Sequence, residues 1–406
     1  MTLLTYLSKY VVKSEVAVQT TSTSLVDDTQ AIQTFTLDAA KTVLVIYSTY
    51  QNFNASVLRN GYQQCIKIDD TEIANTWDTC YGINYPTRNC SVWVGTLAAG
   101  QHTIKGRIAV VYNVNGTTLT VNGRVLLIII FDGDEFQYVD DATTSTTTST
   151  TFVDDPQVSK TFTPSAACKA LFLYNITNSG ATEHDRGKQI ALSVTGGGTL
   201  TNGAALAKAP SAANFVSSAF TCHAMPLTAV STTVKGRFCN HYTAAATVTI
   251  HRRQFAALLF SDSVLLDMVT STTQVSTSSA TLVDDAQCSV TRTTGPGEVL
   301  IVAASYHDYG AGSGYAGHRY GIMVDAVDRS CSRSSAYQDT YSNNPATAWI
   351  ETIASGSHTI KGRISHNYSS AETVKIDARQ VAVLWLVTTI NAPTVTTEAA
   401  TGLGLD

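Results

Sequence analysis

The sequence predicts an all-β chain of three tandem antiparallel β-sandwich domains. Three observations lead there. Thr, Val and Ile are abundant, Pro is scarce at 8 of 406 residues, and no stretch carries a helical period with caps. Short apolar runs bounded by polar turns recur throughout, the pattern of sandwich-core strands. Three motifs recur in one order with a period of about 128 residues.

The first motif is Val26-Asp27-Asp28, repeated as Val153-Asp154-Asp155 and Val283-Asp284-Asp285. Each follows a Ser/Thr-rich run: Thr20 to Ser24, Thr143 to Thr151, Thr270 to Thr281. The second is Lys105-Gly106-Arg107, Lys235-Gly236-Arg237 and Lys361-Gly362-Arg363. The third is an Arg ahead of the last apolar strand: Arg124, Arg253 and Arg379. Copies one and three also share His102-Thr103-Ile104 and His358-Thr359-Ile360, each two residues after a Gly. In copy two Ala229-Val230-Ser231 replaces that Gly-x-His segment. The period exceeds the roughly 20–50 residues of a solenoid repeat and has the size of a complete domain. Each copy is therefore expected to fold by itself, as beads on a chain.

In copy one, Lys41 to Tyr47, Thr103 to Val111 and Arg124 to Phe131 read as strands. Copy two offers Ala170 to Tyr174 and Phe255 to Phe260; copy three offers Glu298 to Ala304 and Gln380 to Val387. About eight strands per unit without helices give a sandwich of jelly-roll type. The rival immunoglobulin-like sandwich uses about 100 residues and often a Cys-Trp-Cys pattern, which is absent. The expected division is an N-terminal arm at 1–17, jelly-roll domains at 18–139, 140–266 and 267–390, and a flexible tail at 391–406. The arm is apolar and strand-prone. It reads either as an addition to a neighbour's sheet edge or as a strand of the first domain.

Charged residues make up 14% of the chain, against about 25% in ordinary domains. Ser and Thr fill the gap, so solubility comes from hydroxyls that do not titrate. That suits exposure to acid or changing pH, and equally any secreted or virion surface. A net charge of −5 argues against broad nucleic-acid binding, which needs a basic face. The longest apolar run, Val125 to Phe131, is far short of the roughly 20 residues of a spanning helix. Met1 to Val12 lacks a basic n-region and a small-residue cleavage site, so no secretory signal is expected.

No catalytic residue, cofactor or metal is expected. The phosphate-loop, G-x-S-x-G and H-E-x-x-H patterns do not occur. The anchors Asp27, Asp28, Asp154, Asp155, Asp284 and Asp285 are weak calcium candidates, because calcium needs six or more oxygens and no third acidic residue travels with them. Their leading reading is a turn or cap in which Asp bonds local amides. Lys-Gly-Arg reads as the exposed side of a strand, with Gly permitting close approach or a bulge and one charge pairing with the Asp anchor. None of the eight cysteines forms a C-x-x-C pair, which argues against zinc. Cys80 and Cys90 flank a loop-like stretch and can close a small disulfide, or act as small buried hydrophobes.

The middles of the copies differ most, and loops carry binding while the scaffold positions them. Copy one contributes Gln51 to Arg88 with Trp77. Copy three contributes Tyr306, Tyr309, Tyr315, Arg319, Tyr320, Tyr337 and Tyr341, a composition of adaptable recognition surfaces. Sequons at Asn54, Asn89, Asn115, Asn175 and Asn367 are possible glycosylation sites, in a number that composition alone yields.

A Ser/Thr-rich opening, Val-Asp-Asp, a core strand, Ala-Gly-x-His-Thr-Ile-Lys-Gly-Arg and an Arg-led final strand together resemble jelly-roll modules of viral appendages. These include phage tail and fibre modules and the tandem domains of turret proteins of archaeal icosahedral viruses. The resemblance covers most of residues 19 to 390. It implies a homo-oligomeric protein of the virion surface, fivefold if a turret, with capsid proteins and a host glycan or protein as partners. It implies no catalytic residue. The alternative is a cell-surface or extracellular carbohydrate- or protein-binding protein.

Overall fold

β-Branched side chains favour extended backbone, and every regular element among the described residues is a strand. The computed structural model describes residues 2–53, 60–73, 78–82, 87–111, 118–180, 186–195, 198–209, 216–240, 247–306, 316–329, 334–338, 346–366, 373–376 and 378–387. The first unit holds β1 (Thr5–Ser14), β2 (Val18–Thr20), β3 (Val26–Leu37), β4 (Lys41–Phe53), β5 (Asn60–Ile68), β6 (Thr71–Glu72), β7 (Asp78–Gly82), β8 (Thr87–Leu97), β9 (Gly100–Val111) and β10 (Leu119–Asp132). The second holds β11 (Phe136–Asp141), β12 (Ser145–Thr147), β13 (Val153–Phe162), β14 (Cys168–Gly180), β15 (Arg186–Val194), β16 (Gly198–Ala209), β17 (Val216–Leu227), β18 (Thr232–Asn240) and β19 (Val248–Ser261). The third holds β20 (Leu265–Ser271), β21 (Val275–Thr277), β22 (Val283–Thr294), β23 (Gly297–Tyr306), β24 (Ala316–Val324), β25 (Val327–Asp328), β26 (Ser334–Gln338), β27 (Ala346–Ile353), β28 (Gly356–His366), β29 (Val374–Ile376) and β30 (Ala378–Val387).

Pairing is nested and antiparallel. In the first unit β1 pairs β10, β3 pairs β9, β4 pairs β8 and β5 pairs β7. The second repeats this as β11–β19, β13–β18, β14–β17 and β15–β16. The third repeats it as β20–β30, β22–β28, β23–β27 and β24–β26. First with last, second with second-last, and so inward, is a long hairpin rolled across itself: a jelly roll. Pairs β10–β4 and β9–β5 then turn the roll into two packed layers. The expected fold class is met in all three copies.

The same irregularity marks each copy. The ladder jumps from Asp27–Arg107 to Ile32–Lys105, from Asp154–Arg237 to Ser159–Lys235, and from Asp284–Arg363 to Ser289–Lys361. The extra residues form a bulge that turns the second Asp of each anchor inward. Pro156 is tolerated there because a bulge residue owes the ladder no N–H.

The expectation of separate beads is corrected by the core. β10 is buried on both faces. Leu126, Ile128 and Ile130 fill the first unit's own interior. Val125, Leu127, Ile129 and Phe131 join a cluster that also contains Leu171, Leu258 and Phe260 of the second unit and Leu300, Val383 and Trp385 of the third. β19 divides likewise, with Phe255, Ala257 and Leu259 inside and Ala256, Leu258 and Phe260 in the shared cluster. The contacts are cyclic. The edge formed by β7 and β8 lies on β14, β17 and β19; β16 and β17 lie on β20, β23 and β30; β26 and β27 lie on β4, β8 and β10. Three equivalent seams close a pseudo-threefold ring within one chain.

Two seams are keyed by a glutamine next to the repeated Arg. The Val92 amide donates to Gln254 Oε1 at 3.1 Å, and the Cys222 amide donates to Gln380 Oε1 at 3.1 Å. At the third seam the matching residue is Val125, buried in the shared cluster. There Lys9 pairs with Glu298, and the Lys13 ammonium sits 5.0 Å from the Trp349 ring centroid.

The expected boundaries shift. Residues 1–17 are not a separate arm: β1 is the edge strand of the first unit's sheet, and the Leu4 amide donates to the Leu259 carbonyl of the second unit at 2.8 Å. β11 and β20 likewise place strands of units two and three ahead of or across residues 140 and 267. The repeated motifs begin only after these first strands, whose sequences share no motif, so the repeat alone placed each boundary too late. The tail at 391–406 lies outside the described residues.

A fragment holding the first unit alone would expose Leu127, Ile129 and Phe131. We expect it to self-associate or precipitate, while the whole chain unfolds in one calorimetric transition. Three separable transitions, or a soluble monomeric first unit, would contradict a shared core.

Candidate functional site

The three repeated motifs converge on one network per unit. Each bulge directs its second Asp into the sandwich, where the Arg of the final strand meets it. Arg124 Nε lies 2.8 Å from Asp28 Oδ2, Arg253 Nε 2.7 Å from Asp155 Oδ2, and Arg379 Nε 2.7 Å from Asp285 Oδ2. All six side chains are fully buried. The pair joins β3 of one layer to β10 of the other, so it bolts the two sheets together. The other Asp oxygen accepts a local amide: Gln30 at 3.1 Å, Gln157 at 3.1 Å and Gln287 at 3.0 Å. Each Arg also donates to a backbone carbonyl in the segment after the unit's first strand: Val16 at 2.6 Å, Thr143 at 2.5 Å and Thr273 at 2.5 Å.

The first Asp of each anchor stays on the outer face. Asp27 is gripped by Lys105 at 2.7 Å and Arg107 at 3.0 Å, Asp154 by Lys235 at 2.6 Å and Arg237 at 3.1 Å, and Asp284 by Lys361 at 2.6 Å and Arg363 at 3.1 Å. Burial opposes the charge of Asp27, but the bond from Lys105 and the fields of Lys105, Arg107 and Lys67 outweigh it and hold its carboxyl below the ordinary range. The bond from Lys235 does the same for Asp154. These exposed pairs contribute little each. The calcium reading of the six aspartates is corrected here: Lys and Arg occupy the places a cation would take. Among the described residues no group of three or more His, Cys, Asp or Glu is arranged to hold a metal ion.

The Gly between Lys and Arg faces inward under a tyrosine ring. A Cβ on Gly236 would come within 2.8 Å of Tyr174 Cζ; one on Gly106 would strike the Tyr47 ring, and one on Gly362 the Tyr320 hydroxyl. Tyr47 and Tyr174 donate to the buried Asp at 2.8 and 3.0 Å. Burial pushes all three hydroxyls well above 10, so they remain neutral. In unit three the tyrosine comes from β24, because Ala303 stands on β23 where the other copies have Tyr47 and Tyr174.

The Ser/Thr runs are straps. The Ser22, Ser149 and Ser279 hydroxyls each accept the amide two residues on and donate to that residue's carbonyl at 2.6, 2.6 and 2.7 Å. Their own carbonyls accept the amides of Val110, Asn240 and His366. Side chains here supply the bonds that irregular backbone lacks.

The candidate binding residues fare differently. Tyr320 is fully buried on β24 and belongs to the core, which corrects its assignment to a binding loop. Arg319, beside it, is half-buried. Tyr306 and Tyr337 lie on β23 and β26, with side chains outside the described residues, as are Trp77, Tyr309, Tyr315 and Tyr341 altogether. Asn175 is 2% exposed and donates to the Cys90 carbonyl across a seam, so it is closed to glycosylation in the folded chain. Asn89 lies on β8; Asn54, Asn115 and Asn367 lie outside the described residues. Cys90 is buried on β8, and Cys65, Cys168, Cys222, Cys239 and Cys288 are buried as well; the side chain of Cys80, and with it the expected Cys80–Cys90 pairing, lies outside the described residues. Burial pushes the Cys222 and Cys288 thiols up to about 12. Sequence reasoning missed the seam residues Gln254 and Gln380. Their recurrence directly after the repeated Arg was the available signal.

No protein-family model matches the chain, and no curated protein matches it. Among solved structures it is similar to one of PNGF-II at 9% identity and a TM-score of 0.26, covering 87% of this chain and 99% of that one. It is similar to an archaeal virus protein described by its triple jelly roll fold and turret assembly, at 12% identity and a TM-score of 0.19, covering 89% of this chain and 81% of that one. A third is Sulfolobus turreted icosahedral virus, at 10% identity and a TM-score of 0.18, covering 91% and 82%. At these scores the likenesses carry no argument about activity, ligand or assembly.

Two substitutions test the networks. Arg253→Met leaves Asp155 buried and uncompensated and should cost about 3–5 kcal/mol in denaturant unfolding. Adding Asp155→Leu should recover part of that loss; no recovery would deny the pair its role. Gly362→Ala should cost about 1–3 kcal/mol by overpacking, and Tyr320→Phe should relieve part of it by removing the struck hydroxyl, the ring Cζ remaining 2.9 Å from the new Cβ.

Proposed function

We propose that this chain is a structural protein of a virus particle. In this reading it forms a protruding vertex turret or similar appendage, and its divergent segments serve assembly or host attachment. The observation that carries the reading is the closed ring: three jelly rolls share one core and act as a single block. Antiparallel pairing puts the β4–β5, β7–β8 and β9–β10 junctions at one end of the unit. A rigid block with three chain junctions gathered at one end of each unit suits presentation better than turnover. The hydroxyl-rich surface and the buried thiols suit a particle outside the cell. The proposed partners are further copies of this chain around a symmetry axis, fivefold for a turret, capsid proteins, and a host glycan or protein.

The test is to purify particles from an infected culture, quantify the chain by mass spectrometry and label protrusions with an antibody. The proposal expects a fixed copy number per particle and label on the protrusions. Finding the chain in cell envelopes and not in particles would overturn it in favour of a cell-surface binding protein.

A further inference from the structure

Two histidines are held in a way that only their charged form satisfies. His102 Nδ1 lies 3.0 Å from Asp69 Oδ2, and its Nε2 lies 3.0 Å from the Ala98 carbonyl oxygen. His358 repeats this in the third unit, with Nδ1 2.6 Å from Asp325 Oδ2 and Nε2 2.9 Å from the Ala354 carbonyl. A neutral imidazole carries one N–H and serves one acceptor; imidazolium serves both. The Asp is fixed in turn. Asp69 and Asp325 sit in left-handed backbone at φ 53° and 50°, and each accepts the amide of the residue after the histidine, Thr103 or Thr359, at 2.8 Å. Each clamp ties the turn after β5 or β24 to the turn before β9 or β28.

The second unit lacks the titratable pair. Thr232 stands where the other units have His, and Thr195 where they have Asp. The Thr195 hydroxyl donates to the Thr233 carbonyl at 3.0 Å and accepts the Thr233 amide at 2.8 Å. Neither threonine titrates.

We propose that the His102–Asp69 and His358–Asp325 clamps are proton-operated latches that lock these turns of units one and three in acid and release them as the pH rises, while unit two stays fixed. The surroundings allow it. Phe35 of β3 lies against the His102 ring at 6.1 Å between centroids, and the nearby Asp70 is paired with Lys67. Arg292 of β22 stands opposite His358, but Asp267 neutralises it at 2.5 Å. Glu351, paired with Arg329, adds a negative field.

Burial lowers both histidine pKa values, but the acceptors outweigh it and leave both above 6.5. A raised histidine contributes stability that is fully present below 6.5 and lost as pH climbs through the folded value. Burial opposes the charge of Asp69, but the Thr103 amide together with the bond and field of His102 outweighs it and holds this carboxyl below the ordinary range; Asp69 thus sets the lower limit, its contribution being lost only as pH falls through that lowered value.

The experiment compares the intact chain with a His102→Gln/His358→Gln variant. Their difference in Tm should be largest near pH 5 and vanish near pH 9. A pH-independent difference would reduce the clamps to packing and overturn the proposal. Imidazole titration by NMR on the intact chain decides the matter even if the variant fails to fold. His102 and His358 should hold both ring protons above pH 6.5, and titration at or below 6.5 would overturn the latch. Neither readout depends on the chain being a virion protein.

Discussion

The buried Asp–Arg pair is the contact on which each unit depends. It draws together elements that are distant in sequence: the bulge of β3, the final strand β10, and the segment between β1 and β2. A charge taken out of water is costly unless a partner and hydrogen bonds replace the solvent. Here the Asp has an Arg and a backbone amide, with a tyrosine hydroxyl added in units one and two. The Arg in turn has the carboxylate and a backbone carbonyl of the segment after the unit's first strand. The residues that recur in the sequence are largely those that satisfy this demand. Val-Asp-Asp, Lys-Gly-Arg and the lone Arg are parts of one device, with the glycine clearing room for the tyrosine ring.

The jelly-roll class and the triplication were legible because strand pattern and repeated motifs are local. The links among the motifs were not, since pairing across 96 residues, as from Asp28 to Arg124, leaves no local trace. The pairing of Asp with Lys-Gly-Arg could be reasoned from charge alone. The buried pair could not, because nothing in Val-Asp-Asp says which Asp faces inward until the bulge is known.

The ring was legible in part, through a signal with two meanings. In a sandwich with one face in water, core strands alternate apolar and polar. Arg124 to Phe131 does not alternate, and neither does Lys41 to Tyr47. Such runs mark burial on both faces. In a tandem chain the second face must then be covered by another unit, so strands of this kind argue against independent beads. Tyr320 shows the opposite difficulty. It lies in a Tyr-rich stretch that looks like a recognition surface, yet it fills the place that Tyr47 and Tyr174 fill from another strand. Composition cannot separate a binding tyrosine from one that completes a core.

The central claim is that the three jelly rolls form one closed body. Small-angle X-ray scattering of the isolated, dilute chain tests it most directly. A compact 406-residue body should have a radius of gyration of about 22 Å. Three such domains in a row would exceed about 30 Å, and that result would contradict the shared core.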